Sequence, residues 1–298
     1  GIWRSPLNTL ERILTEVTMQ NIHAHAWDPK IHIAPATRAE ADRARGRPMD
    51  LSTPFDTFMA DAEPFDKTVV FGLKARRTGY WVPDQYVADF VARAPDKLLG
   101  FACCDPTQEG ALEELRHGIE ELGLVGVKMV PMYAGFDPRD DRCQPIYAYC
   151  QDNGLPILFH SGTTFNQNAP LEYTRPWLWD EVGFRYPELR MVLAHVGHPF
   201  CEECLVVIRK HPHVYADISA LYYRPWQFYN MLIAAQEYHV TNKLLPGTDY
   251  PFAGGVESIE GLRNVNHIIG NSGLPQVAQE TIEGILHRDA LSLLGIST

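Results

Sequence analysis

The sequence predicts a single α/β domain folded as a (β/α)8 barrel, or TIM barrel, and three observations lead to this prediction. The chain has 298 residues, which is ample for one large domain with a sizeable buried core. Eight short apolar runs recur along it, and most are nearly continuous in apolar character, as strands buried on both faces should be. Polar segments with helical spacing separate these runs. Eight strands alternating with helices over about 250 residues fit this barrel, whereas a doubly wound sheet usually has fewer strands.

The predicted strands are residues 19–27, 67–73, 98–104, 125–131, 156–161, 190–196, 214–219 and 243–249. Between them, residues 107–121 are rich in Glu, Leu and Ala and predict a helix, as do residues 145–153. The barrel is expected to span residues 19–298 as one domain.

Two segments fall outside this repeating pattern. Residues 1–18 carry apolar side chains at helical spacing and predict an N-terminal helical extension that packs on the barrel exterior or closes its bottom. Residues 28–54 form an insertion after the first strand, with four arginines close together. We expect a solvated surface loop there. Because such an insertion emerges at the catalytic end of a barrel, a lid or a subunit contact is the alternative.

Composition narrows the classes of partner. The formal charge is 26 − 37 = −11 with neutral histidines, which disfavours a nucleic-acid binder because phosphate contacts need a basic face. No apolar stretch approaches the ~20 residues of a membrane span, and no signal peptide is predicted. Six cysteines are too few for a disulfide scaffold. A cytoplasmic protein is the expectation.

The strongest local signal for chemistry is the pair His23 and His25 in the first predicted strand. Side chains two residues apart in a strand share one face, and in a barrel that face is the interior. Both imidazoles can therefore converge on a metal ion, although a His-x-His pair alone is also found in ordinary hydrogen-bonded cores.

Three further strands end in a polar residue that could join this pair. His160 and His195 each follow an apolar run, and Asp249 ends the eighth strand. Barrel enzymes assemble their sites at these strand ends, and buried polar groups there would be costly without a partner. Three histidines and one aspartate, drawn from these four histidines and Asp249, are enough to hold one divalent cation.

The segments NIHAHAWD, GLPILFHSGTT, MVLAHVGHP and LLPGTDYPF resemble the amidohydrolase superfamily, in the amidohydrolase-related branch that includes decarboxylases, lactonases and hydratases. The resemblance covers residues 20–298 in order. It implies a mononuclear divalent metal, most commonly zinc and sometimes manganese, held by His23, His25, His160 and Asp249. His195 is implied as a further ligand or as a contact of metal-bound water or substrate.

Two reactions are compatible with this resemblance. The leading hypothesis is a hydrolase in which water activated by the metal attacks a lactone, an amide or a ring-derived acid, with Asp249 moving the proton and His195 assisting. The alternative is a non-oxidative decarboxylase, a lyase that acts on an aromatic or unsaturated acid. Decarboxylases of the branch follow the histidine equivalent to His195 with Gly-Glu, which this chain lacks, and this favours hydrolysis. A non-catalytic barrel is a third possibility, but every expected ligand position is filled.

Candidate substrate contacts follow strands 1, 7 and 8, where aromatic rings could hold a planar ring and an arginine could hold a carboxylate. They are Trp27, Tyr222, Tyr223, Arg224 and Phe252. Lys128 at the end of the fourth strand is interpreted first as a contact of substrate or of neighbouring site residues, next as a salt-bridged lysine and last as a carbamylated metal ligand. The expected partner is a small carboxylate-bearing molecule, and the branch implies a homodimer.

Overall fold

A computed structural model of the chain describes residues 18–297. The apolar stripe that predicts an N-terminal helix lies in residues 1–17, outside the described residues, and stays a prediction. The strands are β1 (Gln20–His25), β2 (Lys67–Phe71), β3 (Lys74–Ala75), β4 (Tyr80–Trp81), β5 (Leu98–Gly100), β6 (Ala102–Cys103), β7 (Val127–Met129), β8 (Ile157–Phe159), β9 (Met191–Leu193), β10 (Val214–Asp217) and β11 (Leu244–Leu245). Apart from the antiparallel hairpin β3–β4, each lies within a predicted strand.

The parallel strands form two runs, β1-β2-β5 and β6-β7-β8-β9-β10-β11, that together make the barrel wall. The predicted strand 98–104 is split: β5 pairs with β2 and β6 pairs with β7, so each piece joins one side. Phe101 lies between the pieces, and its amide donates to the carbonyl of Val70. The wall closes where the amide of Asp249 donates to the carbonyl of His23 over 2.9 Å and Ala24 bridges Tyr250. The predicted (β/α)8 barrel is confirmed.

Helices connect the strands, and most of them pack against the outside of this wall. They are α1 (Pro29–His32), α2 (Pro35–Arg45), α3 (Phe55–Asp61), α4 (Asp84–Val91), α5 (Ala111–Glu120), α6 (Pro131–Ala134), α7 (Gln144–Asp152), α8 (Leu178–Arg185), α9 (Cys201–Lys210), α10 (Pro225–Glu237), α11 (Gly255–Arg263), α12 (Gln279–Leu286) and α13 (Ala290–Leu293). The helix predicted over 107–121 begins only at Ala111, because the Asp105 carboxylate accepts the Thr107 amide and holds a turn before it.

The barrel interior is apolar at the end where the strands begin. Ile22, Leu158 and Val192 are buried there together with Leu291 and Leu294 from the region of α13. The Leu291 amide donates to the side chain of Gln20 at the start of β1, which fixes this plug. Polar side chains are thereby confined to the opposite end of the interior, where a site can form.

The insertion 28–54 is more ordered than a surface loop, because it contains α1 and α2. Trp27 fixes its base: the indole Nε1 donates to the carbonyl of Leu51 over 2.6 Å. Among residues 18–297, no helix has the length and apolarity needed to cross a bilayer.

Candidate metal centre

A cavity of about 580 Å³ opens where the barrel strands end. It is lined by His25, Ala44, Arg45, Leu73, Tyr80, Tyr133, His160, Thr163, Thr164, Phe165, His195, His198, Ala220, Leu221, Tyr223, Arg224, Asp249 and Phe252. Most of these residues lie in loops or turns that follow strands. Their position agrees with the rule that barrel sites form at the carboxyl ends of strands.

His23 and His25 converge on the Asp249 carboxylate at the floor of this cavity. They are two residues apart in β1, so both imidazoles lie on the same face of the strand, the inner one. Asp249 Oδ1 lies 3.2 Å from His23 Nε2 and 3.1 Å from His25 Nε2. Asp249 has φ 72°, a left-handed conformation rare for a residue other than glycine, and its amide is bonded to β1. The backbone is therefore bent so that the carboxylate meets the histidines.

His195 joins this group, and His160 lies at its edge. Potential ligand atoms of His23, His195 and Asp249 all lie within 4.8 Å of one another. The His160 ring centroid is 5.0 Å from that of His195, and its Nε2 lies 3.1 Å from the carbonyl oxygen of Thr163. The structure thus groups His23, His25, His195 and Asp249, and it places His160 beside His195 at the edge of this group.

The protonation states suit a cation. Burial lowers the pKa of His25 to about 3 and the pKa of His195 to about 4, so both imidazoles are neutral near pH 7. Burial alone would raise the pKa of Asp249, but the neighbouring imidazoles of His195, His23 and His25 outweigh it and hold that pKa well below its ordinary value. Neutral imidazoles and a carboxylate are the forms that bind divalent metals.

Two further observations test whether a divalent cation fits. His25 Nδ1 is buried and has no hydrogen-bond partner among residues 18–297, so this ring still has an unused polar atom. The buried charges that contact these histidines are the carboxylates of Asp217 and Asp249 and the ammonium of Lys128, which sum to −1. A dication would change this sum to +1 and prepare the cavity for an anion. The nitrogen and oxygen donors suit zinc or manganese.

Lys128 lies behind the histidines rather than in the cavity wall. It is fully buried, its Nζ is 3.4 Å from His23 Nε2, and the ammonium lies over the Phe71 ring at 4.5 Å. Burial lowers its pKa to about 8. Of its predicted interpretations, contact with neighbouring site residues matches this position, and direct substrate contact does not.

The structure does not place two of the predicted substrate contacts, Trp27 and Tyr222, in the wall of the cavity. Trp27 is 1% exposed and stacks beneath His25, with ring centroids 4.5 Å apart, so it supports the floor and does not line the cavity. Tyr222 also lies outside the lining, and its side chain packs close to Gly261, whereas the adjacent Tyr223 lines the cavity. Sequence alone could not choose between neighbouring tyrosines, because a loop has no fixed periodicity.

Phe252 and Arg224 line the cavity as predicted, and Arg45 from the insertion joins them. Arg45 Nη2 donates to the Tyr223 hydroxyl over 2.8 Å, and its guanidinium lies over the ring at 4.3 Å. Arg224 lies over the same ring at 4.4 Å. Among residues 18–297, five arginines have a carboxylate oxygen within 4.0 Å: Arg139, Arg142, Arg175, Arg185 and Arg263. Arg45 and Arg224 are not among them, so their charges are available to a ligand.

Two residues of this region were not predicted from the sequence. Arg45 was visible only as one of four clustered arginines, and nothing in the pattern singled it out. Asp217 ends the buried run of β10, directly behind the histidines. The signal that identified Asp249, a polar residue at the end of an apolar strand, could have found it.

Comparison with known proteins identifies the family to which the chain belongs. The model of the Amidohydrolase family (amidohydrolase 2) matches residues 21–296. A 2-amino-3-carboxymuconate-6-semialdehyde decarboxylase of Dictyostelium discoideum is 25% identical over 93% of this chain and 79% of its own length. A gamma-resorcylate decarboxylase of Rhodococcus jostii (strain RHA1) is 28% identical over 37% of this chain and 43% of its own length.

Solved structures with the same fold include an uncharacterized TIM-barrel protein of Bordetella bronchiseptica. Its TM-score is 0.71 at 22% identity, covering 93% of this chain and 98% of that one. A dihydroxybenzoic acid decarboxylase of Polaromonas with bound manganese has a TM-score of 0.61 at 16% identity, covering 93% and 97%. An amidohydrolase of Burkholderia multivorans with bound zinc has a TM-score of 0.64 at 14% identity, covering 94% and 100%.

Proposed function

The chain belongs to the amidohydrolase family, and from this premise we propose that it is a metal-dependent decarboxylase of a planar aromatic or unsaturated carboxylic acid. The observation that carries the proposal is the set of residues that surround one cavity. The candidate cation site forms the floor, aromatic rings form the sides, and two arginines without carboxylate partners among residues 18–297 lie near Tyr223. The two curated relatives are named as decarboxylases of acids of this kind.

The cavity wall indicates how such an acid would be held. The rings of Tyr80, Tyr133, Phe165 and Phe252 offer flat apolar surfaces to a planar substrate. Arg45 and Arg224 can hold an anionic substituent through charge-assisted hydrogen bonds, because each guanidinium has donors beyond those used within the chain. The volume of about 580 Å³ lies within the range of small-molecule sites.

His23, His25, His160, His195 and Asp249 would hold the cation, which we propose to be zinc, with manganese as the alternative. When bound, this cation supplies positive charge that orients the substrate and stabilises electrons left behind by bond cleavage. Asp249, as a carboxylate, would take a proton from the substrate and return it to carbon. The carbon–carboxylate bond breaks, its electron pair stays on that carbon, the carbon receives the proton, and CO2 leaves.

Hydrolysis is the second candidate, and the state of Asp249 favours it. A carboxylate whose pKa lies well below its ordinary value is ionised at neutral pH, and only the ionised form can accept a proton from water, as hydrolysis requires. The same substrate-binding wall would then present a lactone or amide carbonyl to the attacking water.

Products in isotopically labelled water distinguish the two reactions. The zinc- and manganese-loaded protein is incubated in D2O and in H2(18)O with hydroxybenzoates, unsaturated dicarboxylic acids and lactones. Decarboxylation releases CO2 and leaves one deuterium on the carbon that carried the carboxylate. Hydrolysis keeps every carbon and incorporates one 18O. A hydrolysis product without CO2 from any substrate would overturn the proposed decarboxylation in favour of the second candidate.

A further inference from the structure

A buried carboxylate lies behind the candidate metal centre, and neither proposed reaction uses it. Asp217, the last residue of β10, is 0% exposed and does not line the cavity. Its Oδ2 lies 2.9 Å from His23 Nδ1, and its Oδ1 lies 3.1 Å from the amide of His195. The same Oδ1 accepts from the amide of Ser219 over 3.0 Å and from the Ser219 hydroxyl. One carboxylate therefore contacts two histidines of the centre.

We infer that Asp217 is a positioning residue that fixes the tautomer of His23 directly and that of His195 through Ser219, so that both imidazoles present Nε2 to the cation. This inference concerns the metal centre alone. It stands whether the reaction is decarboxylation or hydrolysis.

For His23 the tautomer follows from the chemistry of the carboxylate. An ionised carboxylate can only accept hydrogen bonds, so the hydrogen between Asp217 Oδ2 and His23 Nδ1 belongs to the imidazole. A neutral imidazole with its proton on Nδ1 has a lone pair on Nε2. That lone pair faces Asp249 Oδ1, 3.2 Å away, and the Lys128 ammonium lies 3.4 Å from Nε2; a cation bound between Nε2 and Oδ1 would satisfy both acceptors directly.

For His195 the same result comes through the serine. The Ser219 hydroxyl donates its hydrogen to Asp217 Oδ1, which leaves Oγ as an acceptor. His195 Nδ1 lies 2.8 Å from this Oγ and 3.1 Å from the carbonyl oxygen of Ser219. Both neighbours accept, so Nδ1 of His195 carries the proton and Nε2 carries the lone pair.

Asp217 also holds the backbone that places His195. His195 has φ 58°, in the left-handed region that a residue other than glycine seldom adopts. Its amide donates to Asp217, so the carboxylate supports the strained backbone as well as the side chains. Metal-binding histidines commonly donate their other ring hydrogen to such a carboxylate, and loss of that partner typically costs about 10- to 100-fold in metal affinity.

The substitution Asp217→Asn tests the inference because an amide side chain also has donors. Its NH2 group can donate to His23 Nδ1, which moves the imidazole proton to Nε2 and blocks the metal-binding lone pair. The matched control is Asp105→Asn, a buried aspartate that accepts a backbone amide two residues later but lies outside the cavity lining. Ser219→Ala removes the hydroxyl, and Ser219→Thr restores it.

Metal-stripped variants are titrated with Zn²⁺ in competition with a chelating dye. We expect affinity to fall at least 10-fold in Asp217→Asn, to fall less in Ser219→Ala, and to stay within 2-fold of wild type in Asp105→Asn and Ser219→Thr. Histidine 15N chemical shifts of the metal-free wild type should show protonated Nδ1 and bare Nε2 for His23 and His195. This second measurement needs no variant to fold. Protonated Nε2 on both rings, or wild-type affinity in Asp217→Asn, would overturn the inference.

Discussion

Arg45 Nη2 donates a hydrogen bond to the hydroxyl of Tyr223 over 2.8 Å, although the two residues lie 178 positions apart in the sequence. Arg45 ends α2 in the insertion after β1, and Tyr223 lies in the loop before α10. The bond therefore joins two connections that begin at different strands of the barrel. It also places a cation against an aromatic ring in the wall of the cavity.

Replacing Arg45 should weaken substrate binding without emptying the metal centre. Hydrogen bonds to charged groups are worth about 1.5–3 kcal/mol, so Arg45→Met should raise KM for a carboxylate substrate about 10- to 100-fold. Arg47→Met is the matched control, because Arg47 is exposed in the same segment and does not line the cavity. Steady-state kinetics and elemental analysis of both variants check this, and an unchanged KM in Arg45→Met would remove Arg45 from the substrate site.

Removal of the cation should abolish turnover reversibly. Treatment with a strong chelator is expected to eliminate activity, and added Zn²⁺ or Mn²⁺ should restore it. His25→Ala and Asp249→Ala should lose both bound metal and turnover, because their Nε2 and Oδ1 atoms lie only 3.1 Å apart at the centre. His117→Ala, which changes an exposed histidine of α5, should retain both. Full activity of the Asp249 variant on an identified substrate would reject the site.

The buried ion pair of Lys74 and Asp84 should contribute strongly to stability. Lys74 Nζ lies 2.6 Å from Asp84 Oδ2, and both side chains are nearly inaccessible to solvent. In Asp84→Asn the buried Lys74 ammonium keeps only the half-exposed carboxylate of Glu114, 2.9 Å away, so the substitution should lower the free energy of unfolding by about 3 kcal/mol, the lower end of the cost of breaking a buried pair. Urea denaturation measures this. Glu181→Gln, which breaks an exposed pair in α8, should cost less than about 1 kcal/mol, and equal costs for the two variants would contradict the argument.

Asp61 should make stability fall as pH rises from about 4 to about 6. Burial raises its pKa to about 6, whereas the unfolded chain has the ordinary value of 3.8. The native state therefore binds this proton more tightly, and its stabilisation is lost as pH rises through the native pKa. Asp61→Asn cannot ionise and should gain about 1–2 kcal/mol relative to wild type across that interval, after allowance for solvent screening.

Thermal or urea denaturation at several pH values measures this difference. The Asn side chain can still accept the Gly255 amide that Asp61 Oδ1 accepts. Asp56→Asn, which changes an exposed carboxylate of the same helix, α3, is the control for the loss of one negative charge. A difference between Asp61→Asn and wild type that does not change with pH would show that Asp61 does not titrate in this range.

The sequence predicted the barrel and the convergence of its polar strand ends because both depend on burial, which leaves a strong pattern. A strand enclosed on both faces must be apolar, and a polar residue at its end, such as His195 or Asp249, has few roles other than a site. The split of the strand at Phe101 was not predictable, because the change of pairing partner depends on the three-dimensional wall and leaves no change in residue type.

The wall of the cavity was predicted less well than its floor. Trp27 is of a residue type that often contacts ligands, yet it is buried under His25. A large aromatic side chain can either contact a ligand or fill a core, and the sequence does not distinguish the two. Arg45 depends on how a long insertion folds back, and this is set by distant contacts such as that with Tyr223. The residues next to Arg45 in the sequence do not indicate such distant contacts, so its place in the wall could not be predicted.

The seam where the amide of Asp249 meets the carbonyl of His23 joins parts of the chain that are synthesised more than two hundred residues apart. A nascent polypeptide that already displays His23 and His25 still lacks the aspartate. If these residues hold the cation as proposed, full metal affinity would arise only after Asp249 has been synthesised, so that a product terminated before it would stay inert.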